Sequence, residues 1–288
     1  MNKKGLVYPY TVWVIIFTVI PLLLIVYFSL QVTVNGETVL SFANFRRIFE
    51  STASLSGRGP ENVRIYLDVI FRSIKLAALC TVFCFIFGYP VGYILAGSEF
   101  NSRNAIIFLF LVPMWMNVLL RTYAWLTILE YNGIVNSVLD FLGLPKKTFL
   151  YTDSVVVLGM VYNFIPFMIL PVYTILKKID VSLIEAAQDL GAGYAKVFLR
   201  VLFPLSIPGV ISGVTMVFMP AVTTFIISNL LGGGQFILIG NLIEQQFFRA
   251  GNWGFGSAIS VVLMALVLIS IGIFSAVDKD SGGGGALY

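Results

Sequence analysis

Few residues in this sequence could perform chemistry. The chain contains no histidine, which excludes histidine-based catalytic triads, zinc-protease motifs and histidine proton relays. Cys80 and Cys84 are the only cysteines and both fall within an apolar run, so we predict that they pack in a core rather than form a disulfide or metal site. The sequence has no G-x-x-x-x-G-K-[ST] nucleotide-binding loop. We therefore expect a protein that is not an enzyme and that binds no metal or cofactor itself.

The most informative spacing occurs in the segment 177–204. Ser182 is followed three residues later by Glu185, a capping-box pattern that starts a short helix. Gly191 comes directly after the last apolar residue of that helix, at the position where a residue in the left-handed conformation ends a helix. A second helical piece then runs into Pro204. We predict a helix, a glycine elbow and a second helix, which either enter a partner's groove or lie on lipid.

Composition places this segment in a membrane protein. Of the 288 residues, 58% are hydrophobic and 11% are charged, whereas soluble domains carry roughly a quarter charged residues. Long charge-free runs must be helices, because lipid offers no partners for backbone groups and about 20 residues cross the hydrocarbon layer. We predict an all-α integral membrane fold with six transmembrane helices, near residues 8–30, 74–97, 104–129, 154–176, 205–231 and 255–277.

The predicted organisation is one transmembrane domain over residues 1–280, followed by a glycine-rich segment. Residues 281–288 resemble a flexible linker left by an expression vector. The first loop, residues 31–73, is predicted to hold one short helix at 44–49. Basic residues are scattered and the net charge is only +4, so nucleic-acid binding is not supported. The Lys and Arg counts do not decide the orientation in the membrane.

The segment 177–204 resembles the EAA signature of ABC importer permeases. The resemblance is carried by Glu185, Ala186, Ala187, Gly191 and Pro204. It implies a type I ABC importer permease fold, with a cytoplasmic loop that couples the chain to an ATPase subunit. The residues assigned to ATPase coupling are Ser182, Glu185, Ala186, Ala187, Asp189, Leu190, Gly191 and Pro204.

The same resemblance implies a location and a set of partners. The chain would be a multi-pass protein of the bacterial cytoplasmic (inner) membrane, with both termini in the cytoplasm. Its partners would be the lipid bilayer, a second homologous permease, and two ATPase subunits that bind ATP and Mg. An extracytoplasmic substrate-binding protein would deliver the substrate.

The membrane helices resemble more narrowly those of spermidine/putrescine permeases. The third-helix pattern comprises residues 119–125 with Pro113, Trp115 and Asn117, and the fourth-helix pattern includes Pro166 and Pro171. This resemblance implies polyamine import. The chain departs from those permeases in the fifth helix, where uncharged polar residues stand in the region that often carries an acid.

A cationic substrate could be held by aromatic faces, each contributing about 0.5–2 kcal/mol. The candidate pathway residues are Trp115, Asn117, Tyr123, Tyr162, Phe225, Asn229 and Glu244. Alternatively, the tryptophans and tyrosines form an interfacial belt, phenylalanines face lipid, and Glu244 is a solvated loop residue. Arg121 is expected near the outer interface, where its side chain would reach water.

Two further functional classes are open. Related permeases carry aminophosphonates, thiamine or ferric iron, and these solutes are alternative substrates. An ion-coupled secondary transporter would need paired intramembrane carboxylates or inverted repeats. The sequence has no evident internal repeat and almost no acid within its predicted membrane helices, which favours the importer.

Overall fold

The computed structural model describes residues 3–34, 37–50, 52–53, 62–63, 65–97, 103–235 and 237–281. The chain divides into two compact units. The first unit comprises Met1–Arg72 and Leu238–Val267, and the second comprises Ser73–Ile237 and Leu268–Tyr288. Each unit is described by itself below. Of the predicted linker 281–288, residues 282–288 lie outside the described residues, and Ser281 ends the last helix.

Helices account for most of the described chain. In chain order they are α1 (Lys3–Val14), α2 (Ile20–Ser29), α3 (Ala43–Phe49), α4 (Ile65–Gly97), α5 (Arg103–Trp115), α6 (Val118–Leu129), α7 (Ile134–Phe141), α8 (Asp153–Leu176), α9 (Val181–Asp189), α10 (Tyr194–Val197), α11 (Phe203–Thr223), α12 (Ile226–Leu231), α13 (Ile239–Phe248) and α14 (Trp253–Ser281). Two π-helical turns, Ile15–Val19 and Phe198–Leu202, join α1 to α2 and α10 to α11.

The length and composition of these helices confirm a multi-span membrane fold. Five helical segments are long and apolar enough to cross a membrane, namely Tyr8–Ser29, Ile65–Gly97, Asp153–Leu176, Tyr194–Thr223 and Trp253–Ala276. The pair Ala105–Trp115 and Val118–Phe141 forms a sixth span if its two parts, bent by 95°, are taken together. The predicted all-α class and the six predicted spans are thus confirmed.

The first unit contains a small extramembrane element beside α2. Strand β1 (Gln31–Val34) pairs antiparallel with β2 (Glu37–Leu40), and β3 (Thr52–Ala53) pairs with β4 (Asn62–Val63). The amide of Asn44, on α3, donates to the carbonyl oxygens of Ser29 at 3.0 Å and Gln31 at 2.8 Å. The predicted short helix at 44–49 is confirmed, while the strands were not predicted.

The second unit is centred on α8, which packs along α11. A Cβ atom at Gly213 would lie 2.7 Å from Sδ of Met168, and one at Gly88 would lie 3.0 Å from Cγ of the same residue. These glycines let α4 and α11 approach α8 closely. Cys80 and Cys84 are fully buried on α4, so their predicted packing role is confirmed.

Three predicted helices have different bounds in the structure. The predicted helix 74–97 starts at Ile65, so residues 65–73, which were predicted as part of a loop, belong to α4. The predicted helix 104–129 is broken, because the backbone of Asn117 is not helical (φ −57°, ψ 130°) and its side chain accepts a hydrogen bond from the N–H of Leu119 at 2.8 Å. The predicted helix 205–231 instead starts at Tyr194 and ends at Thr223. Thr224 is extended (φ −64°, ψ 137°), so α12 is a separate short helix.

Candidate functional site

The segment between α8 and α11 forms a helical turn that begins at Asp180. A carboxylate oxygen of Asp180 accepts the backbone N–H of Ser182 at 3.0 Å, which caps α9. The backbone N–H and the side chain of Ser182 both donate to this carboxylate, and they lower the pKa of Asp180 below its usual value. The predicted capping box of Ser182 with Glu185 is therefore wrong, since the capping residue lies two positions earlier.

The predicted glycine elbow is present after α9. Gly191 has a left-handed backbone with φ +79°. Its N–H donates to the carbonyl of Gln188 at 2.8 Å, and the N–H of Ala192 donates to the carbonyl of Ala187 at 3.0 Å. This pair of bonds satisfies helix-end carbonyls that would otherwise lack partners, in a Schellman arrangement. Glycine is needed here because an L side chain is strained at this φ.

The coupling segment, defined here as residues 180–204, exposes apolar side chains. Leu190 is 90% exposed and Tyr194 is 88% exposed. Glu185, Ala186 and Asp189 are exposed as well, whereas Ala187 is half-buried. Pro204 is exposed in the first turn of α11.

One face of α9 lines a cavity formed by other residues of the second unit. Ile184 is half-buried and lines a cavity of about 710 Å³, together with Leu176 and Ile179. Leu190, by contrast, does not line this cavity and is almost fully exposed. Exposed apolar side chains of this kind are typical of a surface that is covered by a partner protein or by lipid.

The elbow is joined directly to a membrane span. Residues Tyr194–Thr223 form one 30-residue helical segment, so α10, the π-helical turn and α11 are continuous. The hydroxyl of Tyr89, on α4, is hydrogen-bonded to Oγ of Ser206, on α11, at 2.9 Å. The ring of Tyr89 also contacts Phe198 and Phe203, with ring centroids 6.0 Å and 5.7 Å away. The elbow is therefore connected to α11 through one continuous helical segment, and that segment contacts α4 through Tyr89.

The predicted pathway residues of the second unit lie on adjoining helices. Tyr123 lies on α6, Tyr162 on α8, and Asn229 on α12, and both α6 and α8 pack against α12. The ring of Tyr162 contacts that of Trp125 edge to face, with centroids 5.4 Å apart. Tyr123 and Tyr162 remain 52% and 37% exposed, so their rings are not sequestered in the core.

Three other predicted pathway residues mark helix ends. Trp115 ends α5 and is 76% exposed. Asn117 precedes α6 and uses its side-chain oxygen as the cap of that helix. Phe225 precedes α12 and is 40% exposed. All three therefore flank the breaks of the third and fifth predicted helices.

Glu244 and Arg121 differ from expectation. Glu244 was predicted to line the pathway or, alternatively, to lie in a solvated loop; it lies on α13 in the first unit, and its Oε2 is shielded from solvent. Arg121 was expected to reach water, but it is only 9% exposed. Its Nε and Nη1 have no hydrogen-bond partner within the described part of the chain. Burying a charged group without hydrogen-bond partners is energetically costly.

Metal binding has no structural support in the described regions. Among the described residues, no group of three or more His, Cys, Asp or Glu side chains could hold a metal ion.

Comparison with known proteins identifies the family. Residues 88–281 match the family described as binding-protein-dependent transport system inner membrane component. The chain belongs to this family. It is thus a transport permease of the inner membrane rather than an enzyme.

Relatives of this permease confirm the narrower resemblance. The chain is 34% identical over 273 residues to the spermidine/putrescine transport system permease protein PotB of Haemophilus influenzae, covering 93% of this chain and 91% of the relative. It is 34% identical over 265 residues to the protein of the same name from Escherichia coli, covering 89% of this chain and 92% of that one.

A solved structure shares the fold of this permease. A chain of a bacterial alginate ABC transporter, crystallised with an alginate pentasaccharide-bound periplasmic protein, superposes with a TM-score of 0.78 at 17% identity. The similarity covers 98% of this chain and 96% of that chain. The predicted fold of an ABC importer permease is therefore confirmed.

Sequence reasoning missed several features of this permease site. Asp180 was overlooked as a cap, although an aspartate just before an apolar-periodic segment is a usual start signal. The burial of Arg121 depends on how α6 packs, for which the sequence gives no local signal.

Proposed function

We propose that this chain is a permease subunit of an ATP-driven importer that moves polyamines, spermidine or putrescine, across the bacterial cytoplasmic membrane. The observation that carries the proposal is 34% identity over 93% of the chain to a spermidine/putrescine permease. A match of this extent includes the membrane helices as well as the coupling segment. It therefore supports a common substrate class and not only a common energy source.

The coupling segment is the proposed docking site for an ATPase subunit. Its apolar face, with Leu190 90% exposed, suits the groove of a partner, which is a common mode of helix recognition. Within the segment, Ser182, Glu185, Ala186, Ala187, Asp189, Leu190, Gly191 and Pro204 are the residues assigned to coupling. ATP and Mg would be bound by the partner, which by closing would displace α9 and, through the elbow, α11.

The proposed assembly contains further chains. A second homologous permease would complete the pathway, a second ATPase would complete the motor, and an extracytoplasmic binding protein would deliver the substrate. This arrangement requires the coupling segment to face the cytoplasm, with both termini on the same side.

The proposed substrate pathway follows the adjoining faces of α6, α8 and α12. Aromatic rings there would bind a polyamine by cation–π contacts of about 0.5–2 kcal/mol each. The proposed lining residues are Trp115, Asn117, Tyr123, Tyr162, Phe225 and Asn229. Glu244, on α13 of the first unit, is a separate candidate for a carboxylate that binds the substrate. Arg121 would repel a polycation, so we assign it a structural or gating role.

Uptake by the assembled transporter tests the substrate. Labelled spermidine uptake into proteoliposomes that contain the permeases, the ATPases and the binding protein should require ATP and be inhibited by unlabelled putrescine. Aminophosphonates, thiamine and ferric iron serve as competitors of other chemical classes. Inhibition by one of these solutes and not by polyamines would reject the polyamine assignment while leaving the permease assignment intact. Uptake without ATP would instead favour an ion-coupled transporter.

A further inference from the structure

A groove on the second unit has amphiphilic walls, of which the proposed substrate pathway uses only Tyr162. It has a volume of about 510 Å³ and lies between α4 and α8. Its lining residues are Lys75, Leu76, Leu79, Phe83, Phe87, Asp153, Ser154, Val157, Leu158, Val161 and Tyr162. The polar residues Lys75, Asp153 and Ser154 form one end, and nearly all of the remaining wall is apolar.

The apolar wall follows one face of each helix. Leu79, Phe83 and Phe87 recur every four residues on α4, so they lie on one helical face. They are 39%, 40% and 55% exposed, whereas Leu76 and Val157 are 1% and 7% exposed and form the floor. The rings of Phe83 and Phe87 stack with an interplanar angle of 11°. The groove is therefore a shaped channel with a closed floor and an open side.

The dimensions of the groove match one leaflet of a bilayer. Lys75 and Phe87 are twelve residues apart on α4, which corresponds to roughly 18 Å along a helix. One leaflet contributes about 15 Å of hydrocarbon. The polar end lies at the start of α8, which is the end away from the coupling segment.

We propose that this groove binds one phospholipid whose headgroup carries both a phosphate and a primary amine, as in phosphatidylethanolamine. Lys75 complements the phosphate, Asp153 and Ser154 accept hydrogen bonds from the ammonium group, and an acyl chain occupies the apolar wall. In the proposed topology the lipid belongs to the extracytoplasmic leaflet.

The chemistry of the groove walls disfavours two other occupants, a polyamine and a helix of a second permease. A polyamine carries charge along its whole length, and burying that charge against aliphatic side chains such as Leu79, Leu158 and Val161 is costly. Lys75 would repel it as well. A helix of a second permease would have to bury the charged end of the groove within a protein interface, where charged residues are depleted. A phospholipid fits both parts of the groove, because its headgroup can contact the polar end and an acyl chain can contact the apolar wall.

Lipid retention in the purified protein tests the proposal. The full chain, purified with its co-purifying subunits, would be exchanged into equimolar phosphatidylethanolamine, phosphatidylcholine and phosphatidylglycerol and examined by native mass spectrometry. We expect one phosphatidylethanolamine to be retained. Choline offers no N–H to Asp153, and glycerol offers no cation, so the other two lipids should be retained less.

Paired substitutions locate the lipid. Leu158→Trp fills the groove, and Leu109→Trp is its matched control, because Leu109 is 69% exposed on α5 away from the groove lining. Retention should fall about tenfold or more in the first variant, since loss of contact with only two methylene groups has that effect. The smaller change Leu158→Phe provides a second test if the tryptophan variant does not assemble. Equal retention in the groove variants and the control would overturn the proposal.

Two further outcomes would assign the groove to another occupant. Displacement of the lipid by spermidine would make the groove part of the substrate pathway. A disulfide between Leu79→Cys and a cysteine introduced into a co-purifying permease would make it a protein interface. Either result contradicts the lipid assignment, and neither depends on transport activity.

Discussion

At the scale of single residues, Gly191 determines the geometry of the coupling segment. Its φ of +79° directs the chain from α9 into α10, and no atom lies within 4 Å of the position that a Cβ would take. A substitution there is thus a test of backbone conformation alone, without a steric clash.

Gly191→Val should uncouple ATP hydrolysis from uptake. A left-handed conformation costs an L residue roughly 1–2 kcal/mol, which changes the population of the elbow by a factor of about 5–30. Gly193→Val is the matched control, because Gly193 has an ordinary φ of −68° and equally open surroundings. The ratio of labelled spermidine imported to ATP hydrolysed should fall in the first variant only. An unchanged ratio for Gly191→Val would contradict the elbow mechanism.

The buried hydrogen bond between α4 and α11 has a defined direction. The hydroxyl of Ser206 donates to the carbonyl of Phe203 at 2.8 Å. A serine hydroxyl has a single proton, so the hydroxyl of Tyr89 is the donor in its 2.9 Å bond to Ser206. Truncation of Tyr89 therefore removes a hydrogen-bond donor, whereas truncation of Ser206 removes an acceptor.

Ser206→Ala should destabilise the protein more than Tyr89→Phe. The alanine variant leaves the buried Tyr89 hydroxyl without an acceptor, at a cost of about 1–3 kcal/mol, whereas the phenylalanine variant removes one bond worth about 0.5–1.5 kcal/mol. Thermal unfolding of the purified complex should report Tm values in that order. Tyr93→Phe is the control, since Tyr93 is 38% exposed. The reverse order of Tm values would show that Ser206 is the donor to Tyr89.

At the scale of helices, the stability of α9 depends on its capping residue. The carboxylate of Asp180 interacts with the start of a helix whose first N–H groups lack intrahelical partners. Its pKa is lowered, so this stabilisation is fully present above the ordinary aspartate pKa of about 4. It is lost only as the pH falls through the lowered folded-state value. Titration of the Asp180 carboxylate should therefore not change the coupling of ATP hydrolysis to uptake between about pH 5 and 8.

Asp180→Ala should loosen α9, whereas Asp180→Asn should preserve it. Asparagine caps helices about as well as aspartate, and alanine does so poorly. Amide hydrogen exchange over residues 181–189 at neutral pH should be faster in the alanine variant and close to wild type in the asparagine variant. Equally fast exchange in both variants would mean that the charge of Asp180, and not its hydrogen bond, stabilises the helix.

Sequence periodicity predicted the existence of the helices better than their ends. The spans α8 and α14 were found because their apolar runs are continuous. The break at Asn117 was missed because its flanking residues are as apolar as the rest, and only the local cap reveals it. The helix α13 was missed because it follows Gly232, Gly233 and Gly234, and a run of glycines is typical of a loop. The pair Asn35-Gly36, which separates β1 from β2, is a hairpin signal that was not used.

The coupling segment was more predictable than the substrate pathway. A cap, an apolar helix face and a left-handed glycine are local features, and sequence specifies them directly. The adjoining positions of Tyr123, Tyr162 and Asn229 depend instead on how α6, α8 and α12 pack, which periodicity does not encode. Arg121 was misplaced for the same reason, since its burial depends on how α6 packs.

At the scale of the whole molecule, α8 separates two sets of exposed residues. It has 24 residues and so extends roughly 36 Å, enough to cross a membrane. The helix α7 precedes its first residue, and the coupling segment follows its last. These two elements must therefore face opposite sides of the membrane, and a chemical probe of either one determines the orientation of the chain.

Cysteine labelling should place Phe141 outside and Leu190 inside. Each side chain is 90% exposed, and the chain's own Cys80 and Cys84 are 0% exposed, so a single introduced thiol should dominate the reaction. A membrane-impermeant maleimide added to intact spheroplasts should label Phe141→Cys but not Leu190→Cys, and permeabilisation should expose the second. The opposite pattern would place the coupling segment outside, where no ATPase could reach it. Protection of Leu190→Cys in permeabilised cells, relieved when the ATPase is removed, would add direct support for its docking on that surface.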